Sequence, residues 1–339
     1  MKAIFLTKKG AADKAFEIRE TPKPICGSNQ VLIKVECFGL NYAEVMARNG
    51  LYGDAPKMPS ILGYEVVGVI ESAGENVEKN CIGKKVVAFT RFGGYAEYAV
   101  TDKEAFSEIG NMDSGDATCI AVQFATAYFM AYEQTNLFPE NKVLVHAGAG
   151  GVGTALIQLC KLKGCFVIAT AGSNEKLMYM KNLGADEVIN YRESDYSELI
   201  EQKFGREKLD VVFNPIGGKS FKKDLKLIGS GGRVILFGGS ERSGKKWGIL
   251  SSLGFVFKMG FILPIALMMK SKSIIGVNML KVGDNRPEAL ARSMKTVAEM
   301  VNTGQLKPHV GARFKATEID KAHALLESRN SVGKVVVFW

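Results

Sequence analysis

The sequence is poor in the residues that metal centres and disulfide frameworks require. Its 339 residues include only three histidines and six cysteines, with no C-x-x-C pair and no histidine at metal-ligand spacing from a cysteine. Zinc sites are usually built from cysteine and histidine at short, fixed spacings, and disulfide-stapled domains carry more cysteines for their length. We therefore expect no metal site and no disulfide scaffold.

Acidic residues are scarce relative to basic ones. The sequence contains 35 Asp and Glu against 44 Lys and Arg, a formal net charge of +9. Such an excess is compatible with an anionic ligand, nucleic acid, a membrane surface or simple solubility. The lysines are scattered, with small pairs at 8–9, 222–223 and 245–246, and no basic stripe is interleaved with aromatic residues. A nucleic-acid partner is therefore not expected.

Long hydrophobic runs are nearly absent. The N-terminus has four consecutive apolar residues, 3–6, too few for the core of a signal peptide, so the pattern predicts a cytoplasmic protein. Residues 248–269 are mostly apolar, but Lys258 and Pro264 interrupt them, and a membrane span needs about 20 apolar residues. The stretch predicts a buried helical segment or a subunit contact. The wall of an apolar substrate cleft is an alternative, as is a reversible membrane-contacting element, although membrane contact is disfavoured.

The predicted elements change in kind along the chain. Residues 1 to about 120 are strand-rich, with β-branched alternation at 30–37 and Gly and Pro between segments. Short apolar strands then alternate with helices, which is typical of a parallel sheet covered by helices on both faces. These strands are predicted at residues 143–147, 166–170, 187–190, 211–214, 233–237 and 273–277. A tail with a helix at 286–303 and a last strand at 334–339 matches neither pattern, and the length predicts two domains.

A glycine-rich turn gives the strongest functional signal. Gly148, Gly150 and Gly153 satisfy G-x-G-x-x-G between a predicted strand and a predicted helix, and Gly151 and Val152 complete the turn. Glycine permits the tight turn and lets backbone approach a pyrophosphate, which the helix N-terminus then attracts. The strand–turn–helix context predicts a dinucleotide-binding site.

The residues after the second strand of this unit select the dinucleotide. NAD-binding units usually place Asp or Glu there to hold the ribose hydroxyls, and this sequence has no acid directly after residue 170. Ser173 can instead hydrogen-bond a phosphate, Lys176 can pair with one, and Tyr191 after the third strand is a further contact. The sequence therefore predicts NADPH as the cofactor.

At this point the chain resembles a known family. The resemblance is to the zinc-independent quinone oxidoreductases of the medium-chain dehydrogenase/reductase superfamily, in particular the branch of the synaptic vesicle membrane protein VAT-1. It extends over essentially the whole length. The motifs that carry it are GLNYAEVMARNGLY (39–52), GYEVVGVIESAGENV (63–77), GGYAEYAV (93–100), FATAYFMAY (124–132), VLVHAGAGGVG (143–153), NPIGG (214–218), GQLKPHV (304–310) and VGKVVV (332–337).

The resemblance implies the domain organisation. It implies an α/β protein with a discontinuous GroES-like β domain at 1–122 and 279–339 and a Rossmann domain, a doubly wound parallel sheet, at 123–278. It also implies a homodimer formed through the last Rossmann strand, residues 273–277.

The resemblance further implies zinc-free chemistry. Zinc alcohol dehydrogenases of this superfamily place Cys where Asn41 stands and His where Tyr64 stands, so both ligands are missing and alcohol oxidation is disfavoured. The implied activity is NADPH-dependent hydride transfer to a quinone or an α,β-unsaturated carbonyl (enone), as in enoyl reductases. The alternative is a low-activity binding or scaffolding protein that retains the NADPH-binding fold.

The remaining candidate residues are assigned by motif match. Asn41 is expected to face the nicotinamide end, with Tyr52 in the same cleft, and Thr126 matches a family threonine near the cofactor. Phe237 and Gly238 end a Rossmann strand where the family contacts the nicotinamide. Either Tyr52 or Tyr64 could donate a hydrogen bond to a developing oxyanion.

Overall fold

The structure of the protein, a computed structural model, describes residues 1–242 and 248–339, with no side chains described for 248–253. The lysine pair 245–246 lies outside the described residues. The chain divides into two compact units. The first comprises 1–126 and 279–339, the second 127–278, and each is described by itself.

The first stretch of the chain is rich in strands. It contains β1 (Lys2–Leu6), β2 (Phe16–Glu20), β3 (Gln30–Leu40), α1 (Tyr42–Arg48), β4 (Ser60–Ile61), β5 (Glu65–Ala73), β6 (Lys85–Phe89), β7 (Tyr98–Asp102), β8 (Phe106–Glu108) and α2 (Ser114–Cys119). Helical turns continue from α2 through Ile120–Phe124, α3 (Ala125–Tyr128) and Phe129–Glu133.

Strands and helices then alternate, and the tail is mixed. The alternating stretch contains β9 (Lys142–Val145), α4 (Gly151–Leu162), β10 (Phe166–Ala171), α5 (Asn174–Asn182), β11 (Glu187–Asn190), α6 (Tyr196–Phe204), β12 (Leu209–Asn214), α7 (Lys219–Leu227), β13 (Ile228–Leu236), α8 (Gly248–Met259), α9 (Pro264–Lys270) and β14 (Ser273–Gly276). The tail contains α10 (Met279–Asn285), α11 (Pro287–Asn302), β15 (Val310–Lys315), α12 (Ile319–Glu327) and β16 (Lys334–Phe338).

The sheets of the first unit join the two ends of the chain. Its larger sheet has the order β15-β16-β3-β5-β6-β8, with β7 also paired to β3, and a smaller sheet has the order β2-β1-β4. The last strand, β16, runs antiparallel to β3, with Val335 opposite Leu40 and Val337 opposite Phe38. These side chains are all buried in one apolar core. The tail therefore completes the N-terminal β domain, and the GroES-like domain is confirmed.

The second unit is a doubly wound sheet. Its strands have the order β11-β10-β9-β12-β13-β14, and every neighbouring pair is parallel. The order reverses between β9 and β12, which places the carboxyl ends of these two strands at the topological switch point where ligands of such folds bind. Apolar side chains such as Leu144, Ile168 and Val212 are fully buried between the sheet and its helices. The Rossmann architecture is confirmed.

The apolar stretch 248–269 differs from its predicted state. Helix α8 ends at Met259, before Gly260 with its φ of 79°, and Pro264 starts α9, since proline suits the first turn of a helix. However, most large side chains described between 256 and 269 are exposed in the single chain, so burial within the chain is wrong for this part of the segment, and the alternative of a subunit contact stays a prediction. No helix among the described residues is long and apolar enough to cross a membrane.

Candidate functional site

The predicted phosphate-binding turn closes tightly in the second unit. After β9 ends at Val145, Ala147 adopts a positive φ of 51° and Gly150 caps α4. The Gly148 N–H donates to Thr170 O at 3.0 Å, which ties the turn to β10. A Cβ added at Gly153 would lie 2.4 Å from Ala147 O and 2.7 Å from Gly148 Cα. Glycine is therefore required where the turn meets the helix.

The turn leaves donors available for an anion. The first backbone N–H groups of a helix lack intrahelical acceptors, and those of α4 belong to Gly151, Val152 and Gly153. The helix dipole adds a partial positive charge at the same place. The turn thus combines close backbone packing with N–H groups at the start of a helix, and its binding of a pyrophosphate stays a prediction.

The end of β10 gathers the residues predicted to select the cofactor. Ser173 is the N-cap of α5, and a Cβ added at Gly172 would lie 2.8 Å from Tyr191 Oη and 3.0 Å from Arg192 Nε. Burial, and then the nearby Arg192 guanidinium, lower the pKa of Lys176 below its usual value. Two cationic groups and one phenol therefore lie close together beside Ser173.

Arg192 was missed in the sequence. It directly follows Tyr191, at the end of β11, and its side chain is exposed. Because β10 and β11 are parallel neighbours, with Ala171 opposite Asn190, the residue after Tyr191 reaches the same sheet edge as Gly172. The signal that could have identified Arg192 is its position just after the third predicted strand, because that strand ends beside the end of the second.

The predicted nicotinamide contacts lie at the ends of β12 and β13. The Phe237 N–H donates to Asn214 O at 3.2 Å, and a Cβ at Gly238 would lie 2.6 Å from Pro215 O. The ring of Phe255, in α8, packs against these loops, since its Cζ lies 3.3 Å from the Cβ position of Gly239. The structure brings Phe237 and Gly238 to the switch-point edge of the sheet.

A buried polar network lies beneath the turn and was also missed. His146 Nε2 is 3.0 Å from Asp224 Oδ1, and His146 Nδ1 is 3.1 Å from Thr170 Oγ1. Tyr196 Oη donates to Asp224 Oδ1 at 2.9 Å, and Asn214 Nδ2 donates to Asp224 Oδ2. The network connects the ends of β9, β10 and β12 to α6 and α7. Buried polar groups of this kind fix a unique arrangement when every member is paired.

In the first unit, Asn41 is held by a buried ion pair. Asn41 Nδ2 donates to Glu65 Oε1 at 2.9 Å, and Lys334 Nζ donates to Asn41 Oδ1 at 3.1 Å. Lys334 Nζ also contacts Glu65 Oε1, and both charged side chains are 0% exposed. The second oxygen of Glu65 accepts from the Val122 N–H at 3.0 Å. The amide of Asn41 is therefore fixed from both ends.

A second buried carboxylate links Asn41 to Tyr64. Glu44, in α1, accepts the Asn41 N–H at 2.5 Å and the Tyr64 N–H at 3.0 Å through its two oxygens. Burial raises the pKa of Glu44 to about 8, although the two backbone donors act in the opposite direction. Glu44 thus joins the backbones of two candidate catalytic residues.

The two tyrosines share an aromatic cluster. The rings of Tyr52 and Tyr64 meet edge to face with centroids 6.3 Å apart, and Tyr64 also packs against Phe89 and Phe92. Burial raises the pKa of both phenols, so each stays neutral and able to donate a hydrogen bond. Thr126 is buried in α3, the helix that follows Val122.

Comparisons with known proteins identify the family. Two family models match: zinc-binding dehydrogenase over residues 151–298, and alcohol dehydrogenase GroES-like domain over residues 27–111. The synaptic vesicle membrane protein VAT-1 homolog of Danio rerio is 30% identical, over 99% of this chain and 69% of its own length. Quinone oxidoreductase of Homo sapiens is 31% identical, over 93% of this chain and 90% of its own length. The chain belongs to the quinone oxidoreductase family of the medium-chain dehydrogenases/reductases.

Solved structures agree with this membership. A mycobacterial protein complexed with NADPH has a TM-score of 0.86 at 25% identity and covers 100% of both chains. The zinc in the name of one matched model has no counterpart in the side chains of Asn41 and Tyr64, because amides and phenols are not usual zinc ligands. Among residues 1–242 and 248–339, no group of three His, Cys, Asp or Glu side chains could hold a metal ion. The absence of zinc stays a prediction.

Replacing Lys334 should destabilise the first unit strongly. In Lys334→Met, Glu65 remains buried without its counter-charge, which we expect to cost about 3–5 kcal/mol of unfolding free energy. Urea unfolding measures the change. The matched control is Lys321→Met, whose exposed pair with Glu318 should cost about 1 kcal/mol or less. Equal losses in the two variants would contradict the role of the buried pair, and adding Glu65→Gln to Lys334→Met should recover part of the loss.

Glu44 should make stability depend on pH. Its pKa is raised from 4.5 to about 8 on folding, so its contribution to stability is complete below pH 4.5 and is lost as pH rises through about 8. Glu44→Gln should lower the unfolding free energy by about 1–3 kcal/mol, because one backbone N–H loses its acceptor. The same variant should flatten the pH dependence of unfolding in this window, whereas Glu75→Gln, at an exposed site, should not. An unchanged slope in Glu44→Gln would refute the assignment.

Proposed function

We propose that the chain is an NADPH-dependent, zinc-independent oxidoreductase that transfers hydride to a quinone or an α,β-unsaturated carbonyl compound. The observation that carries this proposal is the combination, within one unit, of the closed glycine turn at α4 with Lys176 near the start of α5 and Arg192 just after β11. A pyrophosphate suits the first feature and a further phosphate suits the second.

The charge arrangement supports NADPH over NADH. Gly172 and Ser173 stand where an NAD-binding unit usually has its acid. Lys176 is half-buried beside Arg192, and both burial and the like charge oppose its protonated form. A phosphate dianion between Lys176 and Arg192 would offset both the cost of burying the ammonium group and the repulsion between the two cations. The NADPH bound by the mycobacterial relative agrees with this assignment.

The chain's own residues would bind and orient the cofactor. NADPH, when bound, supplies the hydride. The N–H groups of Gly151, Val152 and Gly153 would bind the pyrophosphate, and Gly148 and Gly150 allow its close approach. Ser173, Lys176, Tyr191 and Arg192 would bind the additional phosphate. Phe237, Gly238, Thr126 and Asn41 are proposed for the nicotinamide end.

The acceptor side is proposed to use neutral donors. Tyr64 and Tyr52 keep their protons because their pKa values are raised, so either can donate a hydrogen bond to an oxyanion that develops on the acceptor. Asn41 keeps one side-chain N–H beyond the one it donates to Glu65, since an amide carries two. An electron-poor acceptor needs less stabilisation than an alkoxide, and these groups suit that demand.

The assembly and location stay proposals as well. β14 is the outer strand of the described parallel sheet, paired on one side with β13, and an outer strand can pair with a copy of itself. We therefore retain a homodimer through β14. The division into a catalytic and a cofactor domain at residues 122/123 and 278/279, and a cytoplasmic location, are retained in the same way.

Removing either cation should weaken the binding of NADPH more than the binding of NADH. Each of Lys176→Ala and Arg192→Ala should raise the Kd for NADPH about 10- to 100-fold, the loss of one charge-assisted phosphate contact, and change that for NADH by less than about threefold. Fluorescence titration with both cofactors measures this. Lys208→Ala, an exposed lysine of the same unit, is the control. An equal increase in the Kd values for the two cofactors would contradict the assignment of NADPH.

Turnover should be measurable with suitable acceptors. Loss of NADPH absorbance is followed with a panel of quinones and enones, and Tyr64→Phe and Tyr52→Phe are compared with Tyr98→Phe. Removal of the phenol that serves as oxyanion donor should lower kcat about 100-fold while leaving the Kd for NADPH unchanged. Tight NADPH binding without turnover of any acceptor would instead support the low-activity binding or scaffolding protein.

A further inference from the structure

Two cysteines meet where α4 ends and β10 begins. Helix α4 ends at Leu162 and β10 starts at Phe166, with Cys160 in the last turn of the helix and Cys165 in the connection. The two cysteines are 0% and 1% exposed, and both are free thiols. The proposed hydride transfer makes no use of this pair.

The end of the helix brings these two residues together. The Cys165 N–H donates to Cys160 O at 3.0 Å, across a turn in which Gly164 has a φ of 74°. The Gly164 N–H donates to Lys161 O at 2.9 Å. These two bonds and the left-handed glycine form a Schellman motif, whose outer residues usually place their side chains in contact. Because a hydrogen bond joins their backbones directly, the two residues are close enough for a disulfide, which needs about 4.4–6.8 Å between Cα atoms.

The two sulfurs also interact. The thiol of Cys160 donates a hydrogen bond to the sulfur of Cys165, which raises the pKa of Cys160 and lowers the pKa of Cys165. Burial opposes this lowering at Cys165, and the nearby charge of Lys161 adds to it. Cys165 is therefore the sulfur that ionises first, and the thiolate is the reactive form of cysteine.

A single connecting segment covers Cys165. The Cys165 thiol donates to Phe138 O at 3.5 Å, and Phe138 itself is 58% exposed. The Glu140 N–H donates to Gly164 O at 3.2 Å, and Pro139 Cβ lies 3.5 Å from the Cβ position of Gly164. Connecting segments open locally more readily than the core of a sheet. Such an opening would admit a small oxidant more easily than a bulky one.

We propose that Cys160 and Cys165 form a reversible disulfide when the protein meets hydrogen peroxide. The Cys165 thiolate attacks one oxygen of the peroxide, the O–O bond breaks, and Cys165 becomes a sulfenic acid while hydroxide leaves and takes up a proton. The Cys160 sulfur then attacks the Cys165 sulfur, the S–O bond breaks, and water leaves with the proton of Cys160. In all, the two thiols lose two electrons and two protons, and the peroxide becomes two molecules of water.

The alternative is that the pair serves packing alone. A Schellman motif often carries an apolar contact at these two positions, and a free cysteine can act as a small apolar side chain. Packing alone predicts that both thiols stay reduced in the folded chain, as expected for Cys119, where burial raises the pKa to about 12. The two interpretations therefore differ in the response of the folded chain to peroxide.

Peptide mapping after peroxide treatment tests the disulfide. Trypsin cleaves after Lys161 and Lys163, so the two cysteines fall in separate peptides, 143–161 and 164–176, which a disulfide would join. The folded full chain is treated with hydrogen peroxide, its remaining thiols are alkylated in denaturant, and the digest is analysed by mass spectrometry with and without dithiothreitol. We expect the joined peptides only before reduction, and two fewer alkylated cysteines than the six of the untreated chain. The disulfide should form at least about tenfold faster than Cys119 is oxidised.

Variants separate the roles of the two sulfurs. Cys160→Ala should stop at the sulfenic acid of Cys165, which dimedone traps, whereas Cys165→Ala should give neither the joined peptides nor a trapped sulfenic acid at Cys160. Cys119→Ala, at a site that is 1% exposed, is the matched control and should form the disulfide like the original chain. Thermal melting checks that the variants fold. The oxidised original chain should melt at or above the temperature of the reduced chain, because the bond restrains the unfolded state.

Three results would overturn the proposal. Absence of the joined peptides after peroxide treatment assigns the pair to packing alone. Oxidation of Cys119 at the same rate as the pair shows that the chain unfolds before it reacts. A lower melting temperature of the oxidised chain shows that the bond distorts the end of α4. Because no cofactor or acceptor takes part, these results are independent of the proposed hydride transfer.

Discussion

A buried ammonium–carboxylate pair holds the first unit together. Lys334 comes from the last strand of the chain and Glu65 from β5, and both are fully buried beside β3. Desolvating two charges is expensive, and the cost is offset only when the remaining hydrogen-bonding capacity is satisfied. The Val122 and Asn41 donors meet that condition for Glu65. If the last strand joined the first unit in another register, Glu65 would be buried without the ammonium group of Lys334. The ion pair therefore favours the register that the structure shows.

The same pair constrains its neighbours. A Cβ at Gly39 would lie 2.2 Å from Lys334 Cε and 2.5 Å from Glu65 Oε1, so the strand that passes over the pair needs glycine there. Two residues later, Asn41 receives one hydrogen bond from Lys334 and gives one to Glu65. The ion pair thus sets the orientation of the amide as well as the register of the sheet. A side chain fixed in this way needs no reorganisation when a ligand binds.

Local sequence patterns predicted most of the second unit and little of this buried network. The strand at 187–190 has the predicted bounds, and the glycine turn joins β9 to α4 as expected, because short apolar strands and glycine spacing are local signals. Helix α1 was missed, since seven residues give too few turns for a periodic pattern. The burial of Glu44, Glu65 and Lys334 could not be predicted, because charged residues are normally exposed and their partners lie far away in sequence.

The apolar stretch shows a different limit of sequence patterns. Hydrophobicity at 248–269 predicted a buried helical segment or a subunit contact. Hydrophobicity indicates only that contact with water is unfavourable, and it does not identify the surface that replaces the water. The structure leaves most of the large apolar side chains described between residues 256 and 269 exposed within their own unit. The proposed phosphate site uses Lys176 and Arg192, which lie far from this stretch in sequence. The proposed phosphate site therefore accounts for only two basic residues, and the rest of the excess lies elsewhere in the chain.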